Sequence, residues 1–229
     1  MWYITGDIHG NIQRIESFSS KTSDPIIILG DCGFNYYGSK RDELLKEMAS
    51  ELPNTILCIK GNHEIHPDQL DFYKTKEWNG AEVYYEDKYP NILFAKDGEI
   101  YEIDGKKVFV IGGAYSVDKD YRIARGWKWF PSEQPSHETK MKCLKTLDKA
   151  GWKVDIVLSH TAPLKAEPRH LFLSFIDQRK VDKTTEEFLD EISDKLSFEK
   201  WYFGHYHGDW QTVIDGKHYE MLFEGIKEL

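Results

Sequence analysis

Cysteine is scarce in this chain. Cys32, Cys58 and Cys143 form an odd, widely spaced set without C-x-x-C pairing, which argues against a disulfide framework and for a reducing compartment. Basic residues are also short, 30 Lys and Arg against 39 Asp and Glu, for a net charge of −9. A general binder of phosphate backbones needs the opposite balance, so no stable nucleic-acid partner is expected. No apolar run approaches transmembrane length, and no membrane partner is expected. Internal repeats, linkers and low-complexity tracts are missing too. Asp7 and His9 follow Met1 too closely to leave room for a signal peptide. These absences predict one cytoplasmic domain over residues 1–229, with a substantial core drawn from the 40% of residues that are hydrophobic.

What is present centres on Ile26-Ile27-Ile28-Leu29-Gly30-Asp31. Four bulky aliphatics in a row read as a strand buried on both faces. Gly30 lets the backbone leave sharply, and Asp31 falls at the carboxyl end, where open α/β sheets bind ligands. An aspartate there is often only a turn former, but the pattern recurs four times. Trp2 to Thr5 runs into Gly6-Asp7-Ile8-His9, and Thr55 to Lys60 runs into Gly61-Asn62-His63-Glu64. Val154 to Leu158 runs into Ser159-His160, and Trp201 to Phe203 runs into Gly204-His205-Tyr206-His207. Each strand-like run ends in a small residue followed by Asp, Asn or His, the side chains that hold borderline divalent metals. The expectation is a metal site along one edge of a sheet.

The remaining pattern predicts helices over Asn11 to Ser19, Lys40 to Glu51, Ser136 to Ala150 and Thr184 to Leu196. The β-α-β-α-β order at the start implies right-handed parallel connections. Between Gly80 and Gly113, short runs around Val83, Ile92, Ile100 and Val108 are separated by Asn91, Asp97-Gly98 and Asp104-Gly105. Such turns signal hairpins, so this stretch is expected to form a largely antiparallel second sheet, extended by a last hairpin at Asp215-Gly216. The fold class is α/β, a two-sheet sandwich flanked by helices.

Asp7, His9, Asp31, Asn62, His160, His205 and His207 are too many ligands for one tetrahedral ion and too imidazole-rich for calcium. Two divalent ions sharing a carboxylate fit the count, with manganese foremost and iron, zinc, nickel or cobalt as alternatives.

The five motifs, Gly6-Asp7-Ile8-His9-Gly10, Gly30-Asp31-Cys32-Gly33, Gly61-Asn62-His63-Glu64, Ser159-His160 and Gly204-His205-Tyr206-His207, resemble in order those of the calcineurin-like metallophosphoesterases. The resemblance implies a dinuclear centre and hydrolysis of phosphate esters by a metal-bridging hydroxide. It implies that Asp7, His9, Asp31 and His207 hold one ion and Asp31, Asn62, His160 and His205 the other. His63 would contact the phosphate or protonate the leaving group, with Asp31 the second catalytic residue. In the phosphoprotein-phosphatase branch the second motif continues into an Asp-Arg-Gly triplet, whereas here Gly33-Phe34-Asn35 follows, and His207 is an addition to that branch's last motif.

Outside the motifs, the Arg- and Trp-rich loop Tyr121 to Pro131 reads either as a self-packed rim or as a lid whose arginines grip phosphate. Arg122, Arg125 and Arg169 are the candidate phosphate-binding residues, and Arg179 follows Arg169 in the same loop. Several arginines favour a dianionic monoester, so the substrate expected is a phosphorylated small molecule, nucleotide or phosphoprotein. A phosphodiesterase acting on nucleotides or cyclic nucleotides is the alternative. A binding module that keeps the metal fold without turnover is the alternative of a different class.

Overall fold

The computed structural model describes all 229 residues. Thirteen strands and five α-helices follow one another as β1 (Tyr3–Thr5), α1 (Ile12–Ser19), β2 (Ile26–Ile28), α2 (Lys40–Ser50), β3 (Ile56–Cys58), β4 (Lys74–Trp78), β5 (Ala81–Glu86), β6 (Tyr89–Ala95), β7 (Ile100–Ile103), β8 (Lys106–Ile111), α3 (Lys119–Ala124), α4 (His137–Lys149), β9 (Ile156–Ser159), α5 (Thr184–Lys195), β10 (Lys200–Phe203), β11 (Trp210–Ile214), β12 (Lys217–Met221) and β13 (Ile226–Glu228). They form a seven-stranded sheet in the order β13-β1-β2-β3-β6-β5-β4 and a six-stranded sheet in the order β11-β12-β10-β9-β8-β7.

The aliphatic run of β2 shows why two sheets pack with helices outside. Ile27 and Leu29 point into the central layer, where they meet Val108, Val110, Ile156 and Leu158 of the other sheet. Ile26 and Ile28 point the other way, beneath Ile12, Ile15 and Phe18 of α1. On the far side, Phe109, Val157 and Trp201 face Cys143 and Leu147 of α4 and Leu189 and Ile192 of α5. Alternate residues of each inner strand therefore supply two apolar layers, and the whole is a helix–sheet–sheet–helix sandwich. No helix is long and apolar enough to cross a membrane.

Two expectations need correction. The stretch from Gly80 to Gly113 is divided between the sheets. β6 pairs parallel with β3 and antiparallel with β5, while β7 and β8 form the edge of the other sheet. Asp97-Gly98 is therefore a crossover and not a hairpin turn: its carboxylate accepts from Gly112 N–H at 2.7 Å, which ties the link to the end of β8. Asn91 lies inside β6, where its amide nitrogen donates to the carbonyls of Ala49, Leu52 and Asn54. Strand β4 was not anticipated, because Lys-Thr-Lys-Glu-Trp is polar, yet it pairs with β5 through an Asn79-Gly80 turn with both φ values positive. The Asp104-Gly105 and Asp215-Gly216 hairpins form as expected, joining β7 to β8 and β11 to β12.

Candidate metal centre

Ligand-bearing turns leave β1, β2 and β3 of one sheet and β9 and β10 of the other, so the site spans the adjoining edges of two sheets, not one edge of one sheet as expected. Main-chain bonds lock these turns together. His9 N–H donates to Asp31 O at 2.8 Å, and Gly204 N–H donates to His160 O at 2.9 Å. His205 N–H donates to Asp7 Oδ1 at 2.9 Å and His63 N–H to Asp31 Oδ1 at 2.8 Å. His9, Asp31, His205 and His207 all have φ between 46° and 69°. Left-handed backbone at non-glycine residues costs energy and is kept where surrounding contacts over-determine it. Gly61 and Gly204 have a steric role: a Cβ would come 2.0 Å from Asp31 Oδ1 and 2.2 Å from Asp7 Oδ1, so only glycine lets each carboxylate sit against the neighbouring turn.

The side chains converge. Asp7, His9 and His207 offer donor atoms within 4.8 Å of one another, and so do Asp7, Asp31 and His160. His9 Nε2 is 2.9 Å from His207 Nε2, and Asp7 Oδ2 is 3.5 Å from His207 Nε2. His160 Nε2 is 2.7 Å from Asn62 Oδ1 and 3.7 Å from Asp31 Oδ2. His205 packs its ring against His160 at 5.1 Å, outside both groups. Burial opposes the charge of Asp7, but His160 and the neighbouring His207 imidazole outweigh it and hold the carboxyl well below its usual range. His160 and His63 do the same for Asp31 against burial. Burial, followed by the nearby His160, pushes His205 down to about 3, so it is a neutral imidazole.

The donor set fits divalent cations. Asp7 Oδ2 is buried with no hydrogen-bond partner. His160 Nδ1 lies 2.7 Å from Leu29 O, a contact that requires the Nδ1 proton. In the neutral ring this turns the Nε2 lone pair toward Asn62 Oδ1, and two acceptors at 2.7 Å need a cation or a proton between them. Oxygen and imidazole donors suit the borderline ions named above.

Asn62 is oriented by a chain not foreseen from sequence. Its amide nitrogen donates to Ser116 Oγ at 2.8 Å, and Ser116 Oγ donates to Glu133 at 2.5 Å. Trp129 Nε1–H donates to the same Glu133 oxygen at 2.8 Å. Trp129 lies in the Arg- and Trp-rich loop and Ser116 and Glu133 on either side of it, with no local signal linking them to residue 62. Glu64, the last residue of the third motif, is buried beneath the site. It accepts from Gly61 N–H at 2.7 Å and from the Cys32 thiol at 3.0 Å, and burial, then Asp31, raises it to about 7. Cys32 is thus a buried packing residue, as are Cys58 and Cys143. His66 belongs to the core, while His137, His170 and His218 are exposed.

His63 faces the cleft beside Arg122, whose Nη2 is 3.2 Å from His63 Nε2. Arg122 Nε–H donates to both oxygens of Asp118 at 2.8 Å. The other arginines are not brought here. Arg125 is exposed and lies over the Tyr121 ring at 5.2 Å. Arg169 is 72% exposed beside Glu167, and Arg179 is paired with Asp177 at the surface. The helical turn α3 carries Arg122 inward, and the next two residues leave Arg125 facing solvent.

Two cavities meet at His9, Asp31, His63 and Arg122. One, of about 600 Å³, is walled by Val117, Leu171, Phe172, Leu173, Ile176 and Val181. The other, of about 860 Å³, runs past Tyr36, Tyr37, Arg41, Trp127 and Lys128.

A model of the calcineurin-like phosphoesterase family matches residues 3–209. No curated protein sequence matches the chain. Among solved structures, TT1561 of Thermus thermophilus aligns at 12% identity over 97% of this chain and 89% of its own, with a TM-score of 0.55. The phosphopantetheinyl hydrolase of Mycobacterium tuberculosis aligns at 12% identity over the same shares, with a TM-score of 0.54. At that identity the likeness is one of fold.

Proposed function

The chain belongs to the calcineurin-like phosphoesterase family, and on that premise we propose that it hydrolyses phosphate esters at the junction of its two sheets. The observation that carries this reading is the convergence of donors from five strand ends around an unpartnered Asp7 Oδ2, with His63 and Arg122 on the open side. Asp7, His9, Asp31, Asn62, His160, His205 and His207 would hold two divalent ions, with Asp31 between them. When bound, such a pair supplies Lewis acidity toward the phosphoryl oxygens and makes water nucleophilic near neutral pH. Water oxygen adds to phosphorus and the ester P–O bond breaks. His63 Nε2, a proton acceptor at rest, takes up a proton released as water attacks and passes it to the departing oxygen. Arg122 offers its remaining N–H groups to a non-bridging oxygen. Manganese is the ion proposed, and the cytoplasm, where three unpaired buried cysteines persist, the compartment.

The monoester reading drew on three arginines meeting a dianion. With Arg122 alone at the site, and already paired with Asp118, that support weakens. Two cavities opening from the same four residues suit a phosphate with an organic group on each side, which favours the diester. Chelation should abolish turnover and manganese restore it. With manganese fixed, bis-aryl phosphate should be cleaved with higher kcat/KM than the aryl monophosphate, and the reverse order would return the monoester. Absence of turnover on both would leave a metal-dependent binding module.

A further inference from the structure

The two cavities differ in charge as well as shape. The protein carries nine more acidic than basic side chains. Yet the 860 Å³ cavity gathers Arg41, Arg122 and Lys128 against one acid, Asp31, which faces the metal centre. The 600 Å³ cavity draws on the same Arg122 and adds Asp118, Lys183 and Glu186, so the basic bias belongs to one wall and not to the metal edge at large. Arg122 is paired with Asp118, whereas Arg41 is exposed and lies over the Tyr37 ring, its Cζ 4.1 Å from the centroid. Stacking in this way fixes a guanidinium while leaving the donors on its edge available to an anion. Tyr36 and Tyr37 line the same wall, and Trp127 stands at the mouth with 55% of its surface exposed. An exposed indole beside unpaired cations is the combination that takes a planar heterocycle joined to phosphate. The volume lies within the range, roughly 300–1,000 Å³, of small-molecule sites.

We propose that this cavity is a nucleotide subsite, in which Arg41 and Lys128 hold a phosphate beyond the one being hydrolysed and Trp127 with the tyrosine pair stacks the base. The substrate then carries a nucleoside phosphate on the 860 Å³ side and a less polar group on the other. This rests on the phosphoesterase reading, since the scissile phosphate must lie at His9, Asp31 and His63, where the cavity ends.

The test uses the full chain loaded with manganese in excess over all phosphates. Adenosine diphosphate, adenosine monophosphate, adenosine and inorganic pyrophosphate compete against hydrolysis of bis-aryl phosphate. The diphosphate should bind at least about tenfold tighter than either adenosine or pyrophosphate. Arg41→Ala or Lys128→Ala should remove most of its advantage over the monophosphate. Trp127→Ala should weaken every adenine compound and leave pyrophosphate as it was. All three side chains are exposed, so their loss opens no core. Pyrophosphate binding as tightly as the diphosphate, or inhibition constants within twofold of the parent in all three variants, would overturn the proposal. If no ester is turned over, the proposed reaction fails, and calorimetric titration of the same four compounds still decides the subsite. Tighter binding of an RNA oligonucleotide than of the diphosphate would point to a polymer and against this assignment.

Discussion

Arg122 Nη2 stands 3.2 Å from His63 Nε2 while the same guanidinium is anchored by Asp118. An arginine cannot accept a proton, so this contact makes His63 Nε2 the acceptor and leaves Nδ1, buried without a partner, to carry the hydrogen. Burial first, and Arg122 after it, lower the basicity of the ring. His63→Ala is expected to retain both ions and lose turnover by roughly 10²–10⁴-fold, less for esters with very good leaving groups. Metal analysis of the purified variant decides the assignment, because an emptied site would make His63 a structural support instead.

Arg122→Ala removes a charged donor from the phosphate seat, worth roughly 1.5–3 kcal/mol or about 10–100-fold in kcat/KM. Arg122→Lys should recover little, since a point charge cannot bind Asp118 and phosphate through one planar fork. Steady-state kinetics on bis-aryl phosphate will show it, and a lysine variant with parental efficiency would speak against the fork.

Asp31→Asn keeps the shape and removes the charge proposed to sit between the two ions. Metal content and turnover should fall together. A variant that still binds two equivalents of manganese but is inactive would show that Asp31 acts in the reaction without bridging.

Ser116→Ala breaks the chain from Glu133 to Asn62 and leaves the amide free to rotate. Outer partners of metal ligands are typically worth about 10–100-fold in affinity. One of the two binding steps in a calorimetric manganese titration should weaken by that amount, the other less. Two unchanged steps would mean that Asn62 is held by its own turn.

Glu186 gives a pH signature from a group that is not itself a candidate metal ligand. Its Oε1 accepts from the Thr161 hydroxyl at 2.8 Å, and burial raises its pKa from 4.5 to about 7. The folded state thus holds this proton more tightly than the unfolded chain. The stability it contributes is complete below pH 4.5 and is lost as pH rises through about 7. Glu186→Gln abolishes that slope. Relative to the parent, its melting temperature should climb between about pH 5 and pH 8, by the equivalent of at most roughly 3 kcal/mol. Thermal unfolding across that range tests it, and a constant offset would show that Glu186 stays ionised.

The convergence of the candidate ligands was legible because each lies within four residues of a strand's carboxyl end, so adjacency in sequence carried their placement. The aliphatic run Ile26 to Leu29 likewise disclosed a strand between two apolar layers. The distribution of β5 to β8 was not legible: short β-rich runs with Asp-Gly turns look alike whether the chain doubles back or crosses to another sheet. Nor could the arginines be sorted. Arg122 and Arg125 are three residues apart, and the last turn of a short helix decides which one reaches the cleft. Ser116 and Glu133 act on Asn62 through distant pairing, which leaves no periodic trace.

Asp7, His9, Asp31 and Asn62 come from the first sheet, and His160, His205 and His207 from the second, with His9 and His207 198 positions apart in the chain. Ions held there would act as rivets across the sandwich. Neither sheet alone offers a complete coordination shell, so the ions would bind the assembled protein far better than the unfolded chain, and their affinity would become resistance to unfolding. Partial opening of the inter-sheet layer, even far from the cleft, would then be felt first as loss of metal.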